Sequence, residues 1–355
     1  MHTNKPLSRD KKVLILALLT EGTGIKTIMR TTKTGAHQVL RLLLDAGETA
    51  RAYHDLHARN LACPFVEVDE LWSYVGEHEY RKTPDYNIRK DGWTGHCWLF
   101  SATCADSKFV VGWTNQPNRE QLAAEAIFDQ IFTRVPGEFQ LTSDKWGCFL
   151  TEMRRRKCDR MSSGWEMKRF GSATDDHSKS VVNVLLGVER GKVTGNPDVK
   201  RITTAHQGRR HLAFRTTMKR FNRRTLGYSK SFPHHDASCA LNMHAHNWMK
   251  RSEAAKIKGK TPAMALGLAS EPMSLEAFVI LIEEHIAKRE ERKWEAAFTD
   301  ASTSGNLYAK RQPVRKTPPP FSQHPLRGIA KELCNTAARK WEERLDGTGS
   351  DAEKP

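Results

Sequence analysis

Apolar residues come in short runs whose spacing changes along the chain. Behind Ser8, the residues Val13, Leu14, Leu16, Ala17 and Leu18 fit a helix over 8–21 with Ser8 at its N-cap, and Gly22 and Gly24 end it. A short helix fits 25–30, a turn fits 31–34, and a third helix fits 35–45 with Val39, Leu42 and Leu43 inward. Helix, helix, turn, helix is the layout of a helix-turn-helix unit, which would present Lys33, Thr34, His37, Gln38 and Arg41 to a major groove. A plain three-helix bundle would show the same pattern. Residues 46–62 continue as a helical connector to Cys63-Pro64, where proline stops a helix.

At residues 65–76 the spacing changes. Val66, Val68, Leu71, Trp72, Tyr74 and Val75 make a strand, and three acids, Glu67, Asp69 and Glu70, sit inside it. Such acids either face water on an edge strand or hold a metal ion from a central one, because an unpaired buried carboxylate costs several kcal/mol. A polar stretch at 77–94 reads as a long loop or hairpin extension. Strand patterns follow at 97–103 and 109–113, then a helix at 118–134 with Asn118 as N-cap and Leu122, Ala126, Ile127 and Ile131 on one face. A fourth strand at 139–144 ends in Asp144. Three antiparallel strands, a crossover helix and another strand are the order of a ribonuclease-H-like domain, an α/β mixed-sheet fold. In that order the first and fourth strands are neighbours, so Asp69 and Asp144 project toward one place. Two such carboxylates suit Mg²⁺ or Mn²⁺ and chemistry at a phosphodiester, which calls for hard oxygen ligands.

Residues 209–224 carry Arg209, Arg210, Arg215, Lys219, Arg220, Arg223 and Arg224 and no acid. Phe214, Met218 and Phe221 are spaced for one helical face, so the stretch reads as an amphipathic helix with a basic, DNA-contacting face. A helix at 232–250 follows; its histidines, His234, His235, His244 and His246, lack a cysteine or carboxylate to complete a metal site. Residues 251–272 read as a basic linker and 274–298 as a long helix. Beyond 300 the Ser, Thr, Gly and Pro content predicts a mostly disordered basic tail, with one possible helix at 328–344. The domain reading is 1–62 for the helix-turn-helix and connector, 63–250 for the ribonuclease-H-like catalytic domain, 251–299 for linker and helix, and 300–355 for the tail.

Charge narrows the partner. The 355 residues include 57 Lys and Arg against 41 Asp and Glu, a formal net charge of +16, and the isoelectric point is about 9.6. That balance suits a polyanion, DNA before RNA. No apolar run approaches a membrane span and no signal-peptide core opens the chain. Seven cysteines without a C-x-x-C pair make neither a disulfide framework nor a zinc site, which fits a reducing cytoplasm.

The words around the acids add a resemblance. Val68-Asp-Glu-Leu-Trp72 and Ser143-Asp-Lys-Trp146 resemble the first two catalytic motifs of bacterial insertion-sequence transposases of the DDE type, in the branch of insertion sequence one. The likeness runs on through residues 187–198, Ile202-Thr-Thr204, Met218-Lys-Arg-Phe-Asn-Arg-Arg-Thr225, Tyr228-Ser-Lys-Ser231 and Thr261-Pro-Ala-Met-Ala-Leu-Gly267, and covers about 10–290. It implies a transposase that binds terminal inverted repeats and target DNA, works as at least a dimer near the bacterial nucleoid, and cuts and joins strands with Asp69, Asp144 and a third acid. Read without gaps, that third acid falls at Gly208. Glu189, in a Glu-Arg pair, and His211, one turn past Gly208, are the candidate substitutes. Two outcomes follow: a transposase with impaired strand cleavage, or a catalytically silent DNA-binding protein, either a decayed copy or a repressor of its own element. An RNA-binding structural protein is a more distant alternative.

Overall fold

The computed structural model describes residues 6–76, 94–174, 181–223 and 225–303, all within one compact unit. Three helices lead, α1 (Arg9–Thr20), α2 (Ile25–Thr32) and α3 (Ala36–His57). Strands β1 (Phe65–Val75), β2 (Gly95–Cys104) and β3 (Val110–Gln116) precede α4 (Gln121–Arg134), β4 (Phe139–Ser143) and α5 (Gly147–Arg155). A long hairpin, β5 (Met161–Thr174) and β6 (Val181–Thr194), leads to α6 (Ala205–Thr217), α7 (Phe232–His244), α8 (Pro262–Ala265) and α9 (Leu275–Thr303). Among the described residues no helix is long and apolar enough to cross a membrane.

The sheet order is β3-β2-β1-β4-β5-β6. β1 and β3 run antiparallel to β2, β4 runs parallel to β1 and β5, and β6 returns antiparallel along β5. The antiparallel trio, the crossover through α4 and the placing of β4 beside β1 match the ribonuclease-H-like order read from the sequence. β1 is interior, so its acids do not sit on an edge strand. Alternation along β1 divides two cores. Val66 and Val68 pack with Phe100, Ile127, Phe128, Leu141 and Phe149 on one face. Leu71 and Leu99 pack on the other, with Leu43, Phe214, Phe221, Leu241 and Phe278.

That second core also takes in Ile15, Leu16, Ile28, Val39 and Leu42 of the leading helices. α3 is one helix of 22 residues, continuous across the expected boundary at 45. A Cβ at its Gly47 would lie 2.5 Å from the Cα of Ala237, so glycine sets the α3–α7 approach.

Several boundaries differ from the sequence reading. Ser8 occupies the α1 N-cap, but its side chain makes no capping hydrogen bond among the described residues. α4 starts at Gln121 with Glu120, not Asn118, at its N-cap. The basic stretch is not one helix over 209–224: α6 stops at Thr217 and a 3-10 turn holds Lys219–Phe221. Thr216 and Thr217 donate their hydroxyls back to the Ala213 carbonyl at 2.9 and 2.8 Å, a bond that competes with the helix ladder. Phe214, Met218 and Phe221 stay buried all the same. The α7 helix ends at His244 in a π turn, Ala245–Met249. The expected linker after 250 holds a 3-10 turn, Ala255–Ile257, and α8. α9 reaches Thr303, so the expected tail begins inside a helix. Residues 1–5, most of the loop at 77–94 and the stretch 328–344 lie outside the described residues.

Candidate functional site

β1 and the end of β4 build the site. The two strands pair only from Phe65–Gln140 to Glu67–Thr142, and β4 stops at Ser143. Asp69 and Glu70 therefore lie past the last paired residue of β4, and Asp144 follows at the open strand end. Asp69 shares the face of Glu67 and Leu71, over which α6 lies; Glu70 shares the opposite face, with Val66 and Val68. With no β4 residue paired beside them, the two faces meet at Asp144. One carboxylate oxygen from each of Asp69, Glu70 and Asp144 lies within 4.8 Å of the others. It is the only such His, Cys, Asp and Glu group among the described residues, and the α7 histidines form none.

Burial and crowding shift these acids. Burial and the neighbouring Asp144 push Asp69 up to about 7. Burial, then Asp69 and Asp144, push Glu70 up to about 8. Burial raises Asp144 as well, against the Trp146 N–H, which donates to its Oδ1 at 3.1 Å. Arg119, on the β3–α4 loop, offsets the charge: its guanidinium nitrogen is 2.5 Å from Glu70 Oε1 and 3.6 Å from Asp144 Oδ2. Its guanidinium lies 4.8 Å from the Trp146 ring and 5.7 Å from that of Trp98. All-oxygen donors at this spacing fit a hard divalent cation. Glu70 Oε2 is sealed from solvent with no hydrogen-bond partner among the described residues, an unsatisfied acceptor beside two other acids. Lys145 does not enter the site; its ammonium lies 4.2 Å from the Trp165 ring centre.

Two buried carboxylates anchor α6 over the sheet. Glu67 accepts the Gln207 N–H at 2.9 Å and lies 2.6 Å from His206 Nδ1. Glu166 of β5 accepts the Thr204 N–H at 3.2 Å. Acids here complement the positive end of the helix dipole. One turn on, His211 Nδ1 lies 3.5 Å from Asp69 Oδ2. Burial, with Arg215 and Arg210 near, holds its pKa at about 3, so the imidazole is neutral and a poor ligand for Mg²⁺. Gly208 is exposed, and a Cβ there would meet nothing within 4 Å. Glu189 sits on β6 opposite Met167, ion-paired with Arg169, apart from the acid group.

The expected DNA-contacting residues divide by exposure. Lys33, His37 and Arg41 are exposed on α2–α3 and Gln38 is half-buried. Thr34 is only 5% exposed and donates its hydroxyl to the Thr32 carbonyl, so it is not presented outward. Arg209, Lys219 and Arg223 are exposed and Arg215 is half-buried. Arg210 and Arg220 turn inward instead. Arg210 donates to Asn242 Oδ1 at 2.8 Å, and burial lowers its pKa to about 9. Arg220 donates to Ser229 Oγ at 2.9 Å. Arg224 lies outside the described residues.

Sequence reasoning named Glu70 among the strand acids but paired only Asp69 with Asp144, and it passed over Arg119. The local signal for Glu70 was its place beside Asp69, which alternation sends to the opposite face. Arg119 is far from both acids in sequence and carried no signal.

No family model and no curated protein sequence matches the chain. Among solved structures it is similar to the Mos1 transposase paired-end complex with the left transposon end, at 12% identity and a TM-score of 0.16, over 42% of this chain and 55% of that one. The Mos1 mariner paired-end complex with Mn matches at 12% identity and a TM-score of 0.16, over 42% and 56%. This chain therefore spans about half the length of the Mos1 transposase. A synaptic complex of the piggyBac transposase with hairpin DNA matches at 9% identity and a TM-score of 0.33, over 91% and 80%.

Proposed function

We propose that the chain is an insertion-sequence DNA transposase that binds the ends of its element and cuts and joins DNA strands at Asp69 and Asp144 with Mg²⁺ or Mn²⁺. The observation that carries this reading is the meeting of two partly buried carboxylates, from β1 and the end of β4, in one crowded acidic cluster. A divalent cation there supplies Lewis-acid activation of the attacking oxygen and charge neutralisation at the phosphodiester. Asp69 and Asp144 supply hard oxygens on a rigid sheet, and His211 holds Asp69 in place from α6. The exposed Arg209, Lys219 and Arg223, with Arg215 beside them, hold the phosphate backbone, while Lys33, His37, Gln38 and Arg41 read the element's terminal repeats from a helix-turn-helix. Two ends must be held at once, so the working form is at least a dimer.

Gly208 favours a second reading. It gives α6 no carboxylate where the resembled family has one, so strand cleavage is weak or absent and the chain acts as a DNA-binding protein, a decayed copy or a repressor. Incubating the full chain with its own coding DNA and flanks, plus Mn²⁺, separates the two. Weak nicking that Asp69→Asn and Asp144→Asn abolish, with DNA binding kept, supports the transposase. Binding with identical absence of nicking in all three proteins supports the silent form.

A further inference from the structure

Glu70 is the third carboxylate of the cluster, and Asp69 and Asp144 alone explain neither its burial nor its partner. Its side chain is 7% exposed. One oxygen, Oε1, faces Arg119 at 2.5 Å. The other, Oε2, is buried and receives no hydrogen bond among the described residues, a state that ordinarily costs about 1–3 kcal/mol. The same side chain offers an oxygen within 4.8 Å of ligand oxygens on Asp69 and Asp144. Glu70 is thus a carboxylate with one oxygen buried and unsatisfied, set against two further acids.

Arg119 is the cation now in contact with that group. Its guanidinium reaches both Glu70 and Asp144, yet its side chain is 34% exposed and sits on a loop, outside the sheet and helices. Trp98 and Trp146 flank it through their rings, so it can leave the acids and remain held nearby. A divalent ion among three carboxylates would repel it.

We propose that Glu70 joins Asp69 and Asp144 as the third carboxylate of a site for one hard divalent cation, and that Arg119 is the counter-ion which that cation displaces. The proposal rests on the reading that Asp69 and Asp144 hold a cation. It accounts for a chain that lacks an acid at Gly208: one ion is held without α6, and a second has no ligand from that helix.

Mn²⁺ titration of the full chain, followed by calorimetry and by the signal of free Mn²⁺ in paramagnetic resonance, tests it without reference to strand cleavage. One Mn²⁺ should bind. Glu70→Gln, which keeps the shape and the contact with Arg119, should weaken binding by about tenfold or more, and Arg119→Gln should tighten it by about tenfold. If Glu70→Gln binds Mn²⁺ as the unaltered chain does while Asp69→Asn does not bind, Glu70 is no ligand and only the aspartate pair stands. Unchanged affinity in Arg119→Gln, with a urea midpoint close to that of the unaltered chain, overturns the displacement. Equal binding by Asp69→Asn and the unaltered chain overturns both the inference and the reading beneath it.

Discussion

A side chain added at Gly208 would meet open space, on a helix whose next turn places His211 against Asp69. Gly208→Glu should therefore fold, and should stabilise α6 by about 1 kcal/mol, because glycine is a poor helix former. It should raise Mn²⁺ stoichiometry from one toward two and bring strand cleavage up by orders of magnitude. Asp69→Asn in that background should erase the gain. A Gly208→Glu protein with unchanged stoichiometry and cleavage would show that position 208 does not reach the proposed cation site. At this scale Asp69 and Asp144 were legible in the sequence, because an acid in a strand is conspicuous and the strand order makes the two neighbours. Glu70 was not. Its place in the cluster depends on β4 stopping at Ser143, and strand alternation read alone assigns it to the far side of the sheet. Thr34, Arg210 and Arg220 were misplaced for a related reason: residue type gives charge or polarity, but burial is decided by distant partners such as Asn242 and Ser229.

The α3–α7 contact concentrates packing into one position. Gly47→Ala places a methyl 2.5 Å from backbone of α7, so the helices must part. Overpacking of this kind costs roughly 1–3 kcal/mol, read as a lower urea midpoint with an unchanged slope. α7 also carries a pH dependence. Burial, with Arg220 near, holds His235 at about 3, and burial, with His57 near, holds His244 at about 3. Asp236 next to His235 acts in the opposite direction. Unfolded histidine binds its proton near 6.5. Below that pH the unfolded chain takes up protons that the folded chain refuses, so stability is kept above about 6.5 and lost as the pH falls toward 3. Urea midpoints at pH 7.5 and 4.5 should differ strongly, and His244→Gln should narrow the gap; an unchanged gap would place the acid sensitivity elsewhere. The leading helices were readable because each buries one face, and the first four strands because they are short apolar runs, buried along most of their length, between turn signals. The β5–β6 hairpin was not, since Phe170, Leu185 and Leu186 stay exposed on it and Gly164 and Gly171 interrupt β5, so no alternation marks it.

Over the whole molecule, the leading helices and the sheet share one core, which changes how the proposed DNA recognition has to be tested. Removing residues 1–50 would strip Ile15, Leu16, Ile28, Val39, Leu42 and Leu43 from a core that also holds Phe214, Leu241 and Phe278. A truncated protein that failed to bind would then report unfolding. Point changes at exposed side chains avoid this. Lys33, His37 and Arg41 lie on α2–α3, although Arg41 first has to release Asp45, 3.2 Å away. Arg209, Lys219 and Arg223 form the second exposed set. Changing Lys33, His37 and Arg41 to Ala together should remove preference for the element's ends and leave non-specific affinity largely in place, since base contacts specify and phosphate contacts position. Changing Arg209, Lys219 and Arg223 to Gln together should weaken binding to every sequence alike. It should also make the salt dependence shallower by about 0.9 in log–log slope for each phosphate left without its cation, about 3 in all. Binding isotherms at several salt concentrations, on end-containing and unrelated DNA, separate the two effects. Kept end preference in the first triple variant would remove the helix-turn-helix role, and an unchanged slope in the second would move the phosphate track away from α6 and the turn that follows it.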